Sequence, residues 1–282
     1  MFDVQATTTI SAATPTAGIP DRVTLEDIRF QYDDKGPVID GLSLRIAVGE
    51  TVGIVGPSGC GKSTLLALVA GLQQPTSGLV TKNVEDGTRL PLSMVFQKDT
   101  LLPWLSVRNN VLFFSRLGRN RKRRSGALDD RVAELLKLGG LEDYGEAFPY
   151  QLSGGMRRRV AFLAAVAPDP QILLLDEPFS SVDEPTRIGI HQDVFRVTRM
   201  MATSTILVTH DLAEAITLCD RVLIMSRRPS TVAKEHTMPF GDEREMLAIR
   251  ETDQYSVLYK SLWHDLGAQI GGAAAPSAAP ED

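Results

Sequence analysis

Apolar and polar residues alternate along two stretches near the start of the chain, and several short apolar runs follow them. The alternating stretches are VTLEDIRFQY and LSLRIAV, a pattern typical of strands with one buried face. The continuous runs TVGIV, LSMVF, ILLLD, STILVT and RVLIM are typical of strands in a sheet covered on both faces. Helical patterns intervene, so we predict an α/β core with a mostly parallel sheet and an antiparallel β subdomain at its N-terminal side.

The remaining segments divide the chain further. Residues from Asp99 to about Met156 give helical patterns and loops without a buried strand, which indicates a helical insert over about residues 99–158 of a domain spanning 21–238. Residues 239–270 are expected to form a C-terminal extension of one or two amphipathic helices on the outside. Residues 1–20 and 271–282 have few large apolar groups and are expected to be disordered.

A glycine-rich loop, GPSGCGKST, lies between the strand TVGIV and the helical stretch LLALVAGL. It fits the phosphate-loop pattern, whose amide groups and helix N-terminus attract phosphate. Lys62 is expected to reach the β- and γ-phosphates, and the Ser63 hydroxyl is expected to ligate Mg²⁺. The predicted nucleotide-binding residues of this loop are Gly56, Pro57, Ser58, Gly59, Cys60, Gly61, Lys62, Ser63 and Thr64. The core is therefore expected to be a P-loop NTPase fold.

Polar side chains also follow three other predicted strands. Asp176 and Glu177 end ILLLD, His210 follows STILVT, and Gln97 follows LSMVF. Each residue alone is more often a surface or capping group, but the carboxyl ends of parallel strands meet at one sheet edge. There Asp176 would hold the Mg²⁺ shell and Glu177 would polarise a water for attack on the γ-phosphate. The combination predicts a nucleotide hydrolase.

A second glycine turn, LSGGM, opens the predicted helix MRRRVAFLAAV. Ser153 can act as its N-cap, while Gly154 and Gly155 leave backbone N–H groups uncovered. The turn is expected to face away from the phosphate loop of its own chain. Two copies arranged head to tail about a twofold axis would place each LSGG turn against the other's phosphate loop, with two nucleotides in the interface.

With these motifs in this order, residues 22–235 resemble the ATPase subunits of ABC transporters, which bind ATP and Mg²⁺. The resemblance implies that Gly56–Thr64 is Walker A, Ile172–Glu177 Walker B, Gln97 the Q-loop, LSGGM the signature, Ser181–Asp183 the D-loop and His210 the switch histidine. It implies Glu177, His210 and Gln97 as catalytic residues and Ser63, Gln97 and Asp176 as Mg²⁺ ligands. Tyr32 matches the position that stacks on adenine, although an ordinary edge-strand aromatic fits as well.

Three further stretches resemble the bacterial importers of nitrate, sulfonates, taurine and bicarbonate: DTLLPWLSVRNNV, DEPFSSVDEPTR and VTHDLAEAITLCDRVLIMSRRPS. The resemblance implies a peripheral subunit at the cytoplasmic face of the bacterial inner membrane. Its implied partners are a second copy or a paralogous ATPase subunit, an integral-membrane permease docking near Leu101–Val111, and, indirectly, a periplasmic solute-binding protein. The apolar Leu101, Leu102, Trp104 and Leu105 suit either that contact or the insert's own core.

Other classes remain open from the sequence. An exporter or lipid-transport ATPase shares this core, and so do soluble ABC ATPases, although those carry paired cassettes or long heptad repeats that this chain lacks. A degenerate, structural cassette is disfavoured by intact Lys62, Glu177 and His210. Leu163 and Ala164 replace the family's usual Ala and Arg, which puts the attachment of the signature helix in question.

Charge and cysteine content narrow the picture. The net charge is -5, and the basic run RNRKRR at residues 119–124 has no interleaved aromatic residues, so nucleic acid is not expected as a partner. The two cysteines suggest reduced thiols in a cytosolic compartment. Cys60 lies near a helix start, where the dipole lowers a thiol pKa, so alkylation of Cys60 is expected to block hydrolysis.

Overall fold

The computed structural model describes residues 19–33, 36–85, 90–98, 100–116, 125–180 and 182–271, with the backbone alone for residues 125–127. Outside these ranges lie most of the two segments predicted to be disordered, namely residues 1–18 and 272–282. The basic run at 119–124, Asp99 and Ser181 also lie outside them.

Nine strands form two sheets in the described part of the chain. They are β1 (Asp21–Gln31), β2 (Pro37–Ala47), β3 (Thr51–Val55), β4 (Ser77–Lys82), β5 (Leu90–Val95), β6 (Pro170–Asp176), β7 (Ser204–Val208), β8 (Arg221–Met225) and β9 (Val232–Thr237). The larger sheet has the order β5-β6-β7-β3-β8-β9 and is parallel except for β9. The smaller sheet, β2-β1-β4, is antiparallel. The predicted fold class is confirmed.

Two strands lack a sequence pattern that predicts them. β4 has mostly exposed residues, and β9 is an antiparallel edge strand with half-buried and exposed residues. Neither shows regular alternation nor a continuous apolar run, because both pair at a sheet edge with little burial.

Eight helices accompany the sheets in the described residues. They are α1 (Lys62–Ala70), α2 (Val107–Ser115), α3 (Ser125–Leu138), α4 (Gly154–Val166), α5 (Glu184–Met200), α6 (Leu212–Leu218), α7 (Met246–Arg250) and α8 (Asp253–Gly271). Side chains of Ser106, Ser153, Asp183 and Asp211 accept backbone N–H groups at the starts of α2, α4, α5 and α6. These residue types are the preferred N-caps, so the sequence itself sets where the four helices begin.

Helices α2, α3 and α4 lie between β5 and β6, and α2 packs on both of the others. The insert boundary expected near residue 158 falls inside α4, which runs unbroken to Val166. At the end of the chain, α8 packs on α6 and buries Leu262 and Leu266. None of the described helices is long and apolar enough to cross a membrane.

The apolar core fills both faces of the larger sheet. Val52, Ile54 and Leu174 belong to a cluster shared with the antiparallel sheet and α1, whereas Leu173 and Leu175 point into a cluster shared with the other helices. Apolar side chains cover both faces of the larger sheet. Polar side chains can therefore gather only where its parallel strands end, at their carboxyl ends.

Candidate functional site

The phosphate-loop segment connects β3 to α1 at the centre of the larger sheet. Lys62 is the first residue of α1 and is only 7% exposed, and its ammonium group donates to the carbonyls of Gly56 (2.9 Å) and Pro57 (3.1 Å). Gly61 precedes the helix with φ 119°, and a Cβ there would lie 3.0 Å from Val38. The loop therefore requires glycine at this point, both for its backbone and for its close contact with β2.

The first carboxylate at the sheet edge belongs to Asp176, the last residue of β6. The Ser63 hydroxyl at the start of α1 donates to Asp176 Oδ1 at 3.0 Å, so two predicted Mg²⁺ ligands from distant parts of the sequence are adjacent. Burial raises the pKa of Asp176, while the Ser63 hydrogen bond and the Lys62 charge oppose that rise. The carboxylate thus lies in a partly desolvated position where a cation would be favourable.

The second carboxylate, Glu177, lies between two polar side chains. Gln97 Nε2 donates to Glu177 Oε2 at 3.1 Å, and His210 Nδ1 lies 3.2 Å from the same oxygen. Gln97 follows β5 and His210 follows β7, so three strands deliver these groups to one edge. The structure brings the three predicted catalytic residues together.

The Gln97 amide also belonged to the predicted Mg²⁺ ligands. Its described side-chain contact is with Glu177, and not with Ser63 or Asp176. Gln97 therefore lies on the Glu177 side of the arrangement.

Tyr32 follows β1 and reaches the phosphate-loop helix. Its hydroxyl lies 3.2 Å from Thr64 Oγ1, and its ring makes an edge contact with Phe30 at 4.8 Å. The side chain remains 40% exposed. An exposed aromatic face beside the loop fits stacking on a nucleotide base.

The LSGG turn opens α4 as its residue types predict. Ser153 Oγ accepts the Met156 N–H at 3.3 Å, and both Ser153 and Gly154 are exposed. Gly155 packs against the start of α5, where an added Cβ would lie 2.6 Å from Thr186 Cγ2. The turn therefore contacts the segment after Val182 and presents Ser153 and Gly154 to solvent, while Leu152 is buried.

Asp183 is exposed and caps α5. Its carboxylate accepts from the Thr186 hydroxyl (2.9 Å) and the Thr186 N–H (3.3 Å), and these hydrogen bonds lower the pKa of Asp183. Asp183 and the LSGG turn thus share Thr186 as a neighbour.

Arg158 is a residue of this region that the sequence analysis missed. It lies on α4, is 7% exposed, and its guanidinium donates to the backbone carbonyls of Phe96 (3.4 Å) and Gln97. The signature helix is thereby tied to the segment that carries Gln97. The helical spacing of Arg158 from the apolar Phe162 and Ala165 placed it on the buried face, which was the available signal.

Leu163 and Ala164, which depart from the family pattern, are both buried on α4. An ideal Cβ on Gly139 would lie 3.0 Å from Leu163 Cδ1, so the leucine occupies space that a side chain at position 139 would need. Two contacts therefore attach the signature helix α4 to its neighbours: Leu163 packs at the end of α3, and Arg158 bonds to the segment that carries Gln97.

The expected lowering of the Cys60 thiol pKa is wrong, whereas the effect of Cys60 alkylation on hydrolysis stays a prediction. The thiol is 2% exposed, and burial raises its pKa; the Lys62 charge and backbone hydrogen bonds offset this only in part. The reactive form is a thiolate that solvent can reach, so the burial of Cys60 and its raised pKa both disfavour reaction. Cys60 contributes to the loop through its backbone, with its side chain in the core beside Gly56.

The sequence left open whether the apolar residues of the segment expected to dock a permease are exposed or belong to the core, and the structure shows both. Leu101 packs against the core, whereas Trp104 is 70% exposed. Asn110 is buried; its amide donates to the carbonyls of Leu102 (3.1 Å) and Leu105 (3.0 Å) and accepts the Leu102 N–H. The loop that presents Trp104 is therefore fixed from beneath.

The residues present fit a nucleotide with Mg²⁺. The described side chains leave the amide groups at the start of α1 uncapped, and the Lys62 ammonium lies over the loop, an arrangement that suits phosphate. Ser63 and Asp176 offer adjacent oxygen atoms, the ligand type that Mg²⁺ prefers.

Comparisons with known proteins point to one family. The family model described as "ABC transporter" matches residues 39–180. The taurine import ATP-binding protein TauB of Jannaschia sp. (strain CCS1) is 39% identical over 228 residues, which cover 79% of this chain and 84% of that protein. The aliphatic sulfonates import ATP-binding protein SsuB 1 of Pseudomonas aeruginosa (strain UCBPP-PA14) is 41% identical over 235 residues, covering 80% and 90%.

Solved structures show the same fold. The dimeric structure of MJ0796, a bacterial ABC transporter cassette, has a TM-score of 0.64 and 30% sequence identity and covers 77% of this chain and 98% of that one. A dimeric structure of MJ0796 in a post-hydrolysis state, bound to ADP and Pi, matches with the same values.

Proposed function

Because this chain belongs to the ABC transporter family, we propose that it is the ATP-hydrolysing subunit that energises import of a small solute through a membrane permease. The observation that carries this function is the Glu177 carboxylate, which Gln97 and His210 hold beside the Ser63–Asp176 pair of the phosphate-binding edge. An attacking water beside Glu177 and the phosphates of ATP on α1 would meet at this edge.

The loop from Gly56 to Thr64 binds the phosphates of ATP through its amide groups and Lys62, and Tyr32 stacks on the base. Ser63 and Asp176, together with Gln97 from the Glu177 side, would hold Mg²⁺, which would supply positive charge to stabilise the phosphate oxygens. The support for these roles is the adjacency of Ser63 and Asp176 and the placement of Tyr32 beside Thr64.

Glu177 accepts a hydrogen bond from the attacking water and raises its nucleophilicity. Gln97 and His210 orient the carboxylate through their contacts with Oε2, and His210 also supplies a polar group beside the γ-phosphate. His210 is 61% exposed at its side chain, so nucleotide and a partner surface can reach it.

Two ATPase subunits act as a head-to-tail dimer. Ser153, Gly154 and Gly155 of one copy, with Asp183, complete the nucleotide site of the other, and the partner is a second copy or a paralogous subunit. Support comes from the exposure of Ser153, Gly154 and Asp183 and from the dimeric cassette at 30% identity. ATP closes this dimer, and hydrolysis reopens it.

The solute belongs to the group of sulfonates, taurine, nitrate or bicarbonate. TauB and SsuB relatives at 39% and 41% identity support a sulfonate or taurine. The permease docks near Leu101–Val111 at the exposed Trp104, a periplasmic binding protein delivers the solute, and the subunit is peripheral at the cytoplasmic face of the bacterial inner membrane.

A steady-state ATPase assay of the protein reconstituted with its permease tests this function. Glu177→Gln should lower kcat by about 10²- to 10⁴-fold with nucleotide binding retained, because the amide cannot act as a base. Glu26→Gln, which changes an exposed glutamate of β1, is the matched control and should hydrolyse ATP normally. Equal rates of ATP hydrolysis by wild type and Glu177→Gln would refute the proposed ATPase activity. Uptake of taurine, alkanesulfonate or nitrate into lipid vesicles that contain the reconstituted complex would identify the solute.

A further inference from the structure

Two basic residues on one face of α5 pair with two acidic residues at the start of α6. Arg187 Nη1 donates to Asp211 Oδ2 at 2.7 Å, and His191 Nε2 lies 3.1 Å from Glu214 Oε1. Arg187 and His191 are one helical turn apart, so the two pairs lie side by side. We call these four residues the α5–α6 brace.

The first pair touches a site segment on each side. Arg187 Nη2 donates to the Val182 carbonyl at 2.7 Å, immediately before Asp183. Asp211 follows His210 directly, and its Oδ1 accepts the Ala213 N–H at 2.8 Å, which caps α6. Movement of the Val182–Asp183 segment would therefore be carried by one guanidinium to the residue that anchors His210.

The second pair is buried and reaches the Glu177 segment. His191 is 0% exposed and Glu214 is 3% exposed. The His191 ring lies against Phe179, with ring centroids 5.3 Å apart, and Phe179 comes two residues after Glu177. His191 thus contacts the elements that follow both Glu177 and His210.

Stability alone does not account for a histidine at this position. His191 Nδ1 is buried, and no described residue hydrogen-bonds to it. An unpaired buried nitrogen is unfavourable, and an apolar pair in place of His191 and Glu214 would avoid both this cost and that of burying a carboxylate. What the ring provides that an apolar side chain lacks is the polar contact from Nε2 to Glu214.

We propose that His191, with Arg187, is a positioning residue for ATP hydrolysis: the α5–α6 brace holds His210 and Glu177 in register with the partner-facing Val182–Asp183 segment. The inference rests on the proposed function, since it assigns Asp183 to the dimer interface. A packed network with short polar links transmits displacement between segments because its members cannot move independently.

Kinetics of the reconstituted protein with its permease test the proposal. His191→Leu should lower kcat roughly tenfold, because a small misplacement of catalytic groups is costly, with the KM for ATP unchanged. ATP-driven dimerisation in the Glu177→Gln background should also be unchanged. His191→Gln keeps a donor for Glu214 and should recover most of the rate, which a purely space-filling role would not produce.

His236→Leu is the matched control. His236 Nε2 and Asp265 Oδ2, 2.9 Å apart, form a histidine–carboxylate pair of the same type between β9 and α8, away from the site. Its loss should leave kcat unchanged. Arg187→Met, which breaks the other pair, should reproduce the kcat loss and serves as the second variant if His191→Leu does not fold.

A kcat for His191→Leu equal to that of wild type, per folded molecule, would overturn the proposal. A kcat for His191→Gln as low as that of His191→Leu would also overturn it. Hydrogen exchange at the Ala213 and Glu214 amides measures the brace without turnover, and unchanged exchange in His191→Leu would overturn it independently. A wild-type protein that does not hydrolyse ATP, by contrast, would refute the proposed function. The exchange measurement would then decide whether His191 holds the start of α6 in place.

Discussion

At the scale of single residues, Glu177 is held by its backbone as well as by its neighbours. Its φ of 44° is in the left-handed region, a conformation that costs a non-glycine residue about 1–3 kcal/mol. Its N–H donates to the Val208 carbonyl at 2.8 Å, so the adjacent strand β7 fixes this backbone. The same strand leads into His210, and the carboxylate and the histidine are therefore positioned together.

Thiol chemistry provides a residue-scale prediction. Cys60 and Cys219 are both buried, and burial raises both thiol pKa values. A maleimide at neutral pH should therefore label neither cysteine in the folded protein and both after denaturation, as counted by mass spectrometry. Rapid labelling of Cys60 in the folded state would contradict the described burial, and Cys60→Ala should retain ATP hydrolysis.

The pH dependence of stability provides a second prediction. Burial raises the pKa of Asp193 above 3.8, while Arg159 and Arg196 oppose the rise. The folded state therefore binds this proton more tightly, and ionisation lowers the free energy of unfolding as pH rises through the folded-state pKa. In urea unfolding, Asp193→Asn should be more stable than wild type at pH 7 and equal to it below about pH 3, where the carboxyl is protonated in both states.

Asp183→Asn serves as the control of opposite sign. Thr186 hydrogen bonds lower the pKa of Asp183, so its stabilising contribution is present above the unfolded-state pKa and is lost as pH falls through the folded-state value. This variant should be less stable than wild type at pH 7. If both variants changed the free energy of unfolding at pH 7 in the same direction, the opposite pKa shifts assigned to Asp193 and Asp183 would be contradicted.

At the scale of elements, the starts of α4 and α5 are packed too closely for a side chain on Gly155. The 2.6 Å approach to Thr186 Cγ2 joins the LSGG turn to the helix that Asp183 caps. The LSGG turn and the start of α5, both proposed to face the partner, are therefore in contact, and α4 is further tied to the Gln97 segment by Arg158.

Gly155→Ala tests this contact. Because the methyl group must displace Thr186, we expect a loss of about 1–3 kcal/mol in the free energy of unfolding and weaker ATP-driven dimerisation. Adding Thr186→Ser removes Cγ2 but keeps the hydroxyl that donates to Asp183 (2.9 Å), and should restore both. A Gly155→Ala protein as stable as wild type would show that the turn and α5 are not in contact.

The C-terminal helix gives a paired prediction. Leu262 is 0% exposed on α8, whereas the adjacent Trp263 is 62% exposed. Leu262→Ala should cost about 2–5 kcal/mol of unfolding free energy in chemical denaturation, because it leaves a cavity against the domain. Trp263→Ala should change it by no more than about 0.5 kcal/mol. Equal effects would mean that α8 does not dock as described.

At the scale of the whole molecule, the sheet edge that carries Glu177 and the exposed LSGG turn belong to different elements of the fold. The edge has phosphate-binding groups and Glu177, while Ser153, Gly154 and Asp183 present hydrogen-bonding groups elsewhere. If each of these features is half of a nucleotide site, as proposed, a twofold arrangement of two copies completes both sites at once.

ATP-driven dimerisation is the corresponding prediction. Glu177→Gln protein with Mg²⁺ and ATP should elute as a dimer in size-exclusion chromatography with light scattering, and removal of Mg²⁺ by a chelator should return it to monomer. Adding Ser153→Glu should abolish the dimer while ATP binding to the monomer persists, because a carboxylate would repel the partner's nucleotide. A Glu177→Gln monomer at saturating ATP would contradict the head-to-tail arrangement.

The sequence by itself determined the parallel sheet, the phosphate-loop segment, the strand-end carboxylates and the Ser153 cap of α4. These depend on local backbone chemistry and on residue type at fixed spacing. The gathering of Gln97, Glu177 and His210 was also predictable, since parallel strands deliver their carboxyl ends to one edge. The ligand-binding and catalytic roles of these residues stay predictions.

Only the tertiary structure decided the contacts between residues far apart in sequence. The bonds from Arg158 to the Gln97 segment, the pairing of His191 with Glu214 and the approach of Gly155 to Thr186 depend on how helices pack, which no local pattern encodes. The same is true of Cys60, whose position at a helix start favoured a low pKa until burial in the core reversed the direction. Desolvation depends on every neighbour in space, and sequence spacing reports only neighbours along the chain.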